Sequence, residues 1–295
     1  MKKISSVLLA AALAVSLLAG CSSTAPSSNG SSAPATDGSK ASETAAPSST
    51  ADALSGVLKM SGSTSMEKVV KGLNGKFMED NKGVTVDLQL GGSGAGISAA
   101  SEGKADIGNS SRKLKDEEAT TLTANVMAYD GIAVVVNVDN KVEDITLEQL
   151  QQIYAGEIRN WKDLGGADEP IVVIGREEGS GTRDGFESIV MGDKAPVYAQ
   201  ELAETGTVIN NVAQNKDAVG YASLASVDDS IKALKVEGVA PSEETVKDGT
   251  FKIMRPFIMA VAKDSTNELT QAYLDFVFSA EGQEIVRGAG LVPVN

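Results

Sequence analysis

The chain has no histidine and one cysteine in 295 residues, and aromatic side chains make up only 4% of it. Without histidine it can form neither a Ser-His-Asp triad nor a zinc site with an imidazole ligand. Cys21 is its only thiol, so it can form no intramolecular disulfide even where the compartment is oxidising. An excess of positive charge is missing too: 26 Lys and Arg stand against 40 Asp and Glu, for a net charge of −14. That balance argues against nucleic acid as a partner, and at long range it also opposes a free anion. Any anion affinity must therefore come from donors aimed locally. The apolar run near the N-terminus, Val7 to Ala19, is too short to favour a membrane-spanning helix.

The N-terminus does carry a basic start, Met1-Lys2-Lys3, then the apolar run, then Leu18-Ala19-Gly20-Cys21. A basic region, a short apolar core and small residues before a cleavage point describe a secretory signal over residues 1–20. Leu-Ala-Gly-Cys resembles a bacterial lipobox, which would make Cys21 the lipidated first residue of the mature chain. Ser22 to about Ala53 is rich in Ser, Thr, Ala and Pro and nearly free of large apolar side chains. Such a segment cannot bury enough surface to fold, so 21–53 is expected to be a disordered tether, with an r.m.s. span of roughly 30 Å.

From Gly56 onward strand and helix patterns alternate, which predicts an α/β fold. Strands are expected near 56–60, 84–90, 105–107, 132–138, 171–175, 218–222 and 257–263. Helices are expected near 65–80, 94–102, 146–154, 182–190, 207–215, 266–278 and 280–288. Thr146 and Gln149 are spaced for a capping box, and Leu147, Leu150, Ile153 and Tyr154 form the apolar face behind it.

The segment Arg176–Arg183, REEGSGTR, carries the most chemistry. Ser180 and Thr182 supply hydroxyl donors at a predicted helix start, and Gly181 lets backbone come close to a ligand. Free N–H groups at a helix start favour negative charge. Arg176 adds a planar, charged fork suited to tetrahedral oxyanions. Two more Ser/Gly-rich turns also open predicted helices: Ser61-Gly62-Ser63-Thr64-Ser65 and Gly91-Gly92-Ser93-Gly94-Ala95-Gly96. A further polar turn, Asn109-Ser110-Ser111-Arg112, follows Ala105-Asp106-Ile107. Any one of these, taken alone, is an ordinary capped helix or turn after a strand. Several in one chain, one with arginine, point to convergence on a small anion.

The order SGSTSM, GGSGAG, ADIGNSSR, YDGIAVVVN, IYAGEIRNW, GREEGSGTR resembles the phosphate-binding proteins of Pst-type ABC importers, over nearly all of 56–295. The resemblance implies a two-lobed, type II-like "Venus flytrap" periplasmic-binding-protein fold with two interlobe crossings. Lobe one would span 54–130 plus 257–295 and lobe two 131–256, with crossings at Tyr129-Asp130-Gly131 and Arg255-Pro256-Phe257. It implies capture of inorganic phosphate by a lipid-anchored, extracytoplasmic monomer that serves the permease subunits of an ABC importer, with no cofactor, metal or catalysis. The family's ligand positions fall on Thr64, Ser65, Ser93, Arg176, Ser180, Gly181 and Thr182. Where many members carry an aspartate that accepts the proton of hydrogen phosphate, this chain has Ser111. A hydroxyl lacks the fixed charge that repels a fully ionised anion such as sulfate. Glu178 is expected either to pair with Arg176 or Arg183 or to bias the choice of anion.

Three other functions are compatible with parts of the sequence. A binding protein for sulfate, molybdate or a phosphonate would use the same donors. Ser65-Met66-Glu67-Lys68 matches the S-x-x-K pattern of exported serine enzymes, but neither SDN nor KTG accompanies it. A tethered surface adhesin or sensor could also use this fold.

Overall fold

The computed structural model describes residues 53–295. The signal sequence, Cys21 and the tether fall on 1–53 and so lie, but for residue 53, outside the described residues.

In chain order the strands are β1 (Ser55–Gly62), β2 (Gly83–Leu90), β3 (Ile107–Ser110), β4 (Leu122–Asn137), β5 (Asp144–Ile145), β6 (Val172–Arg176), β7 (Gln200–Leu202), β8 (Ala218–Ser223), β9 (Ile231–Ala233), β10 (Lys235–Val236), β11 (Met254–Ala262) and β12 (Val292–Pro293). The helices are α1 (Glu67–Asp80), α2 (Gly92–Ser101), α3 (Glu118–Thr121), α4 (Leu147–Tyr154), α5 (Gly181–Val190), α6 (Thr205–Gln214), α7 (Glu243–Lys247), α8 (Glu268–Phe278) and α9 (Ala280–Gly288). The main sheet runs β2-β1-β3-β11-β4-β8-β6-β7. β1 is parallel to β2 and β3, β6 is parallel to β7 and β8, and the long pair β4 and β11 is antiparallel. The result is a two-lobed α/β architecture of the periplasmic-binding-protein kind.

β4 joins the two halves. Its first part, Leu122–Gly131, pairs with β11, and its second, Ile132–Val136, pairs with β8. The apolar run Ile132–Val136 is fully buried. Side chains alternate across a strand, so the run feeds two cores. Ile132, Val134 and Val136 join Tyr154, Trp161, Phe186 and Tyr221, while Ala133 and Val135 join Val208 and Val212 of α6. Helices on both faces explain a continuous apolar run in place of alternation. Each large side chain buried there contributes about 1.5–3 kcal/mol before entropy is counted. The other half has its own core, built from Leu58, Met60, Leu73, Phe77, Phe257, Met259 and Tyr273 among others.

All seven expected strands and all seven expected helices are present, with shifted ends. β4 begins ten residues before the expected 132, because Thr123, Ala124 and Asn125 give no apolar period and are held in the strand by β11. β3 runs on through Asn109 and Ser110, where a turn was expected, because β1 and β11 flank it on both sides. The capping box at Thr146 forms, with Thr146 Oγ1 accepting from Gln149 N at 3.0 Å and Gln149 Oε1 accepting from Thr146 N at 2.9 Å.

Candidate anion-binding site

Three parallel strands, β1, β2 and β6, end at helix starts, and each of those junctions is one of the Ser/Gly-rich turns. In parallel sheets ligands gather beyond the carboxyl ends of strands, where such helix starts converge. Ser63 and the single 3-10 turn Thr64–Met66 precede α1, Ser93 lies in the first turn of α2, and Ser180 caps α5 by accepting from Arg183 N at 3.3 Å. Ser111 directly follows β3. All of these hydroxyls are buried.

Their oxygens form a chain. Ser63 Oγ donates to Ser111 Oγ at 2.8 Å and lies 3.0 Å from Ser65 Oγ. Ser93 Oγ lies 3.2 Å from Ser111 Oγ and accepts from Ser111 N at 3.0 Å. Ser65 Oγ in turn meets Thr182 Oγ1 at 3.2 Å, so the chain joins the helix start after β1 to the one after β6. Gly181 makes that approach possible: a Cβ there would lie 2.2 Å from Ser93 Oγ.

Arg176 is the charged member. Its side chain is 2% exposed at the end of β6. Nε donates to Leu202 O at 3.0 Å and Nη2 to Ala203 O at 2.6 Å. Nη1 donates to Thr205 Oγ1 at 3.1 Å, and Nη2 reaches across to Thr64 Oγ1 at 3.0 Å. No carboxylate among the described residues forms an ion pair with it. Burial pushes its pKa down to about 10, which still leaves it charged at neutral pH. A buried charge is ordinarily paired, because stripping its water is costly. This one is surrounded by carbonyls and hydroxyls instead, so an anion is the partner that would complete it.

Of the residues expected in the site, Thr64, Ser65, Ser93, Ser111, Arg176, Gly181 and Thr182 are thus brought together, and Ser180 lies beside them in the wall of a pocket shared with Thr64 and Arg176. Ser63 and Thr205 were missed. Thr205 opens α6 in Glu204-Thr205-Gly206-Thr207, which repeats the hydroxyl-and-glycine helix start of the other turns, so a signal was there. Ser63 sat inside a turn already singled out, and only geometry distinguishes it from Thr64 and Ser65.

Glu178 departs from the expectation of a pair. It is exposed and forms an ion pair with neither arginine. Arg183 is taken by Glu187 at 2.7 Å and Glu201 at 2.5 Å. Glu178 does line, with Glu177, Glu204, Thr64 and Arg176, a pocket of about 110 Å³ beside the guanidinium. Within the S-x-x-K motif Lys68 Nζ donates to Ala225 O at 3.1 Å, whereas Ser65 Oγ faces Ser63 and Thr182.

A buried ion pair bridges β4 and β11. Arg255 Nη2 and Nε reach Asp130 Oδ2 at 3.0 and 3.3 Å across the β4–β11 register, and Nη1 donates to Ser111 O at 3.4 Å. Burial pushes the Asp130 carboxyl up and the Arg255 guanidinium down, and each partner's charge opposes the other's shift.

A family profile described as a PBP superfamily domain matches residues 30–281. The chain is 35% identical to the phosphate-binding protein PstS of Bacillus subtilis, covering 81% of each, and 31% identical to PstS of Staphylococcus epidermidis strain RP62A, covering 78% of this chain and 77% of that one. Among solved structures it is similar to one from Clostridium perfringens with phosphate bound, assigned as a phosphate ABC transporter substrate-binding protein. The TM-score is 0.79, at 40% identity over 81% of this chain and all of that one. A phosphate transport receptor from Vibrio cholerae gives a TM-score of 0.68, at 35% identity over 81% of this chain and all of that one.

Proposed function

The chain belongs to the PBP superfamily and, within it, to the PstS-type phosphate-binding proteins, and from that membership we propose that it captures inorganic phosphate outside the cytoplasm and delivers it to the permease of an ABC importer. The observation that carries this reading is Arg176: a buried guanidinium without a carboxylate partner, facing a chain of buried hydroxyls at helix starts. Phosphate would complete its charge, take hydrogen bonds from Thr64, Ser65, Ser93, Ser111, Ser180 and Thr182, and lie against the backbone at Gly181. No bond in the ligand is made or broken. The turned-away Lys68 argues against the serine-enzyme reading.

We place lobe one at 54–130 plus 257–295 and lobe two at 131–256, a division supported by the separate cores on either side of Asp130–Gly131. Anion and closure are then one event, since Ser65 and Thr182 meet only when the lobes do. Cys21 would carry the lipid that holds the protein, as a monomer, to the outer face of the membrane. Among the described residues no helix is long and apolar enough to cross it. Cys21→Ser should release the protein from the membrane fraction and leave phosphate affinity unchanged; unaltered fractionation would refute the anchor.

The test of the function is calorimetric titration of the purified protein with phosphate, sulfate and arsenate. Tight phosphate binding with a compaction visible by small-angle scattering is expected. Absence of phosphate binding would overturn the reading. One observation keeps another tetrahedral oxyanion in view: the inner chain holds Ser111 where a carboxylate would reject a fully ionised ligand.

A further inference from the structure

Arg112 directly follows Ser111, and its guanidinium has two distinct attachments. Towards its own lobe, Nη1 and Nη2 grip Glu118 of α3 as a fork, at 2.7 and 2.8 Å, and Nη1 also donates to Lys113 O at 2.8 Å. Across the cleft, Nε lies 2.7 Å from Asp184 Oδ2. Asp184 sits in the first turn of α5, two residues beyond Thr182. The contact therefore stands one position from a hydroxyl turn on one side and two positions from one on the other. We propose that Arg112 and Asp184 are a positioning pair that draws the Ser111 and Ser180–Thr182 turns together without touching the anion; the inference rests on the phosphate reading above.

The two attachments differ in kind. The Glu118 fork is two-pronged, aligned and largely buried, and it fixes the guanidinium whether or not the lobes meet. Nε is buried yet lacks an aligned acceptor, so the Asp184 contact is Coulombic rather than a well-directed hydrogen bond. The Asp184 side chain is 39% exposed, on the wall of a cavity of about 420 Å³ that also takes in Lys113, Lys115, Met254 and Pro256. With the lobes apart, Asp184 would return to water while Arg112 kept Glu118. The contact thus exists only in the joined arrangement, and its free energy biases closure. A ligand that binds the joined form gains apparent affinity by the same factor. Because the pair borders an open cavity, its contribution is modest and screened by salt.

Four proteins decide it: wild type, Asp184→Asn, Arg112→Gln and the double variant, titrated with inorganic phosphate by calorimetry at low and high salt. Asp184→Asn should weaken binding by about threefold at low salt, the scale of a partly exposed pair. The deficit should shrink at high salt, and Asp184→Asn should add nothing in the Arg112→Gln background. If Asp184 acted only as a favourable charge at the start of α5, it would weaken both backgrounds alike, and that result overturns the proposal. So does unchanged affinity in Asp184→Asn at low salt. If Arg112→Gln does not fold, Asp184→Lys replaces it: a cation facing Arg112 should weaken binding further than asparagine, and equal affinities overturn the pair. Should wild type bind no phosphate, the ligand reading fails by itself. The pair is then judged by small-angle scattering of the ligand-free protein, where expansion in Asp184→Asn supports it and an unchanged profile refutes it.

Discussion

Gly181 and Ser93 stand far apart in the chain, yet a Cβ on Gly181 would lie 2.2 Å from Ser93 Oγ and 2.7 Å from Ser111 Oγ. The first turns of α2 and α5 therefore meet with no room for even a methyl group. The backbone of Gly181 is not left-handed, so alanine is conformationally acceptable there and the clash arises only across the cleft. Gly181→Ala should weaken phosphate binding by at least tenfold, about 1.4 kcal/mol, while the ligand-free melting temperature changes little. Calorimetry and a thermal melt test this together. Normal affinity would mean that the two helix starts do not close on the ligand in this way.

Arg176 is the guanidinium that faces the buried hydroxyls of Thr64 and Thr205, and its four side-chain hydrogen bonds all go to neutral acceptors. Removing one partner of a buried, hydrogen-bonded charge pair costs about 2–5 kcal/mol in interfaces. Arg176→Ala should thus cost well over tenfold in phosphate affinity. Lysine should rescue only in part: it keeps the charge but cannot reach Thr64 and Thr205 with two prongs. An alanine variant that still binds phosphate normally would place the anion elsewhere.

The parts legible in the sequence were those whose signal is local. A hydroxyl-and-glycine turn before an apolar period reads as a capped helix after a strand, and the turns at Thr64, Ser93 and Ser180 were visible for that reason. The relations between them were not legible. Nothing in the chain near Thr205 indicates that its hydroxyl accepts a hydrogen bond from Arg176, because Leu202–Thr205 reaches the guanidinium only through the β6–β7 pairing. The pairing expected for Glu178 failed for a similar reason. Closeness in sequence to Arg176 suggested a partner, but the turn carries the carboxylate outward, and the guanidinium is instead spent on carbonyls at the end of the next strand and the hydroxyls of Thr64 and Thr205. The first half of β4 was hidden because a strand held by its partner, β11, needs no apolar period of its own.

Glu118 offers a test by pH. Hydrogen bonds from Arg112, ahead of any other cause, hold its carboxyl below the ordinary glutamate value of 4.5. A depressed folded pKa means that the stabilisation is fully present above the unfolded value and is lost as pH falls through the folded one. Glu118→Gln should therefore lower the melting temperature at pH 6, and the gap to wild type should close as pH falls below the ordinary value and through the depressed one. A gap that stays constant from pH 6 to pH 3 would show that the glutamate acts through packing and not through its charge.

In the proposed site, Ser111 sets how charge on the ligand is treated. Its hydroxyl accepts from Ser63 and lies beside Ser93, its amide donates to Ser93, and its carbonyl accepts from Arg255, so the position is fully enclosed. A carboxylate in this place would reward a protonated ligand oxygen and repel sulfate, which has no proton to offer. A hydroxyl can donate to either anion. Wild type should consequently discriminate phosphate from sulfate by less than about a thousandfold, roughly 4 kcal/mol. Ser111→Asp should move the preference towards phosphate, and most strongly at the lower end of pH 5 to 8, where more of the ligand carries a second proton. Affinities for both anions across that range test the idea, with a thermal melt to confirm that the variant folds. If wild type already rejects sulfate by more than a thousandfold, another acceptor does the work. Glu178, which lines the pocket beside Arg176 without pairing to it, is then the carboxylate to remove first.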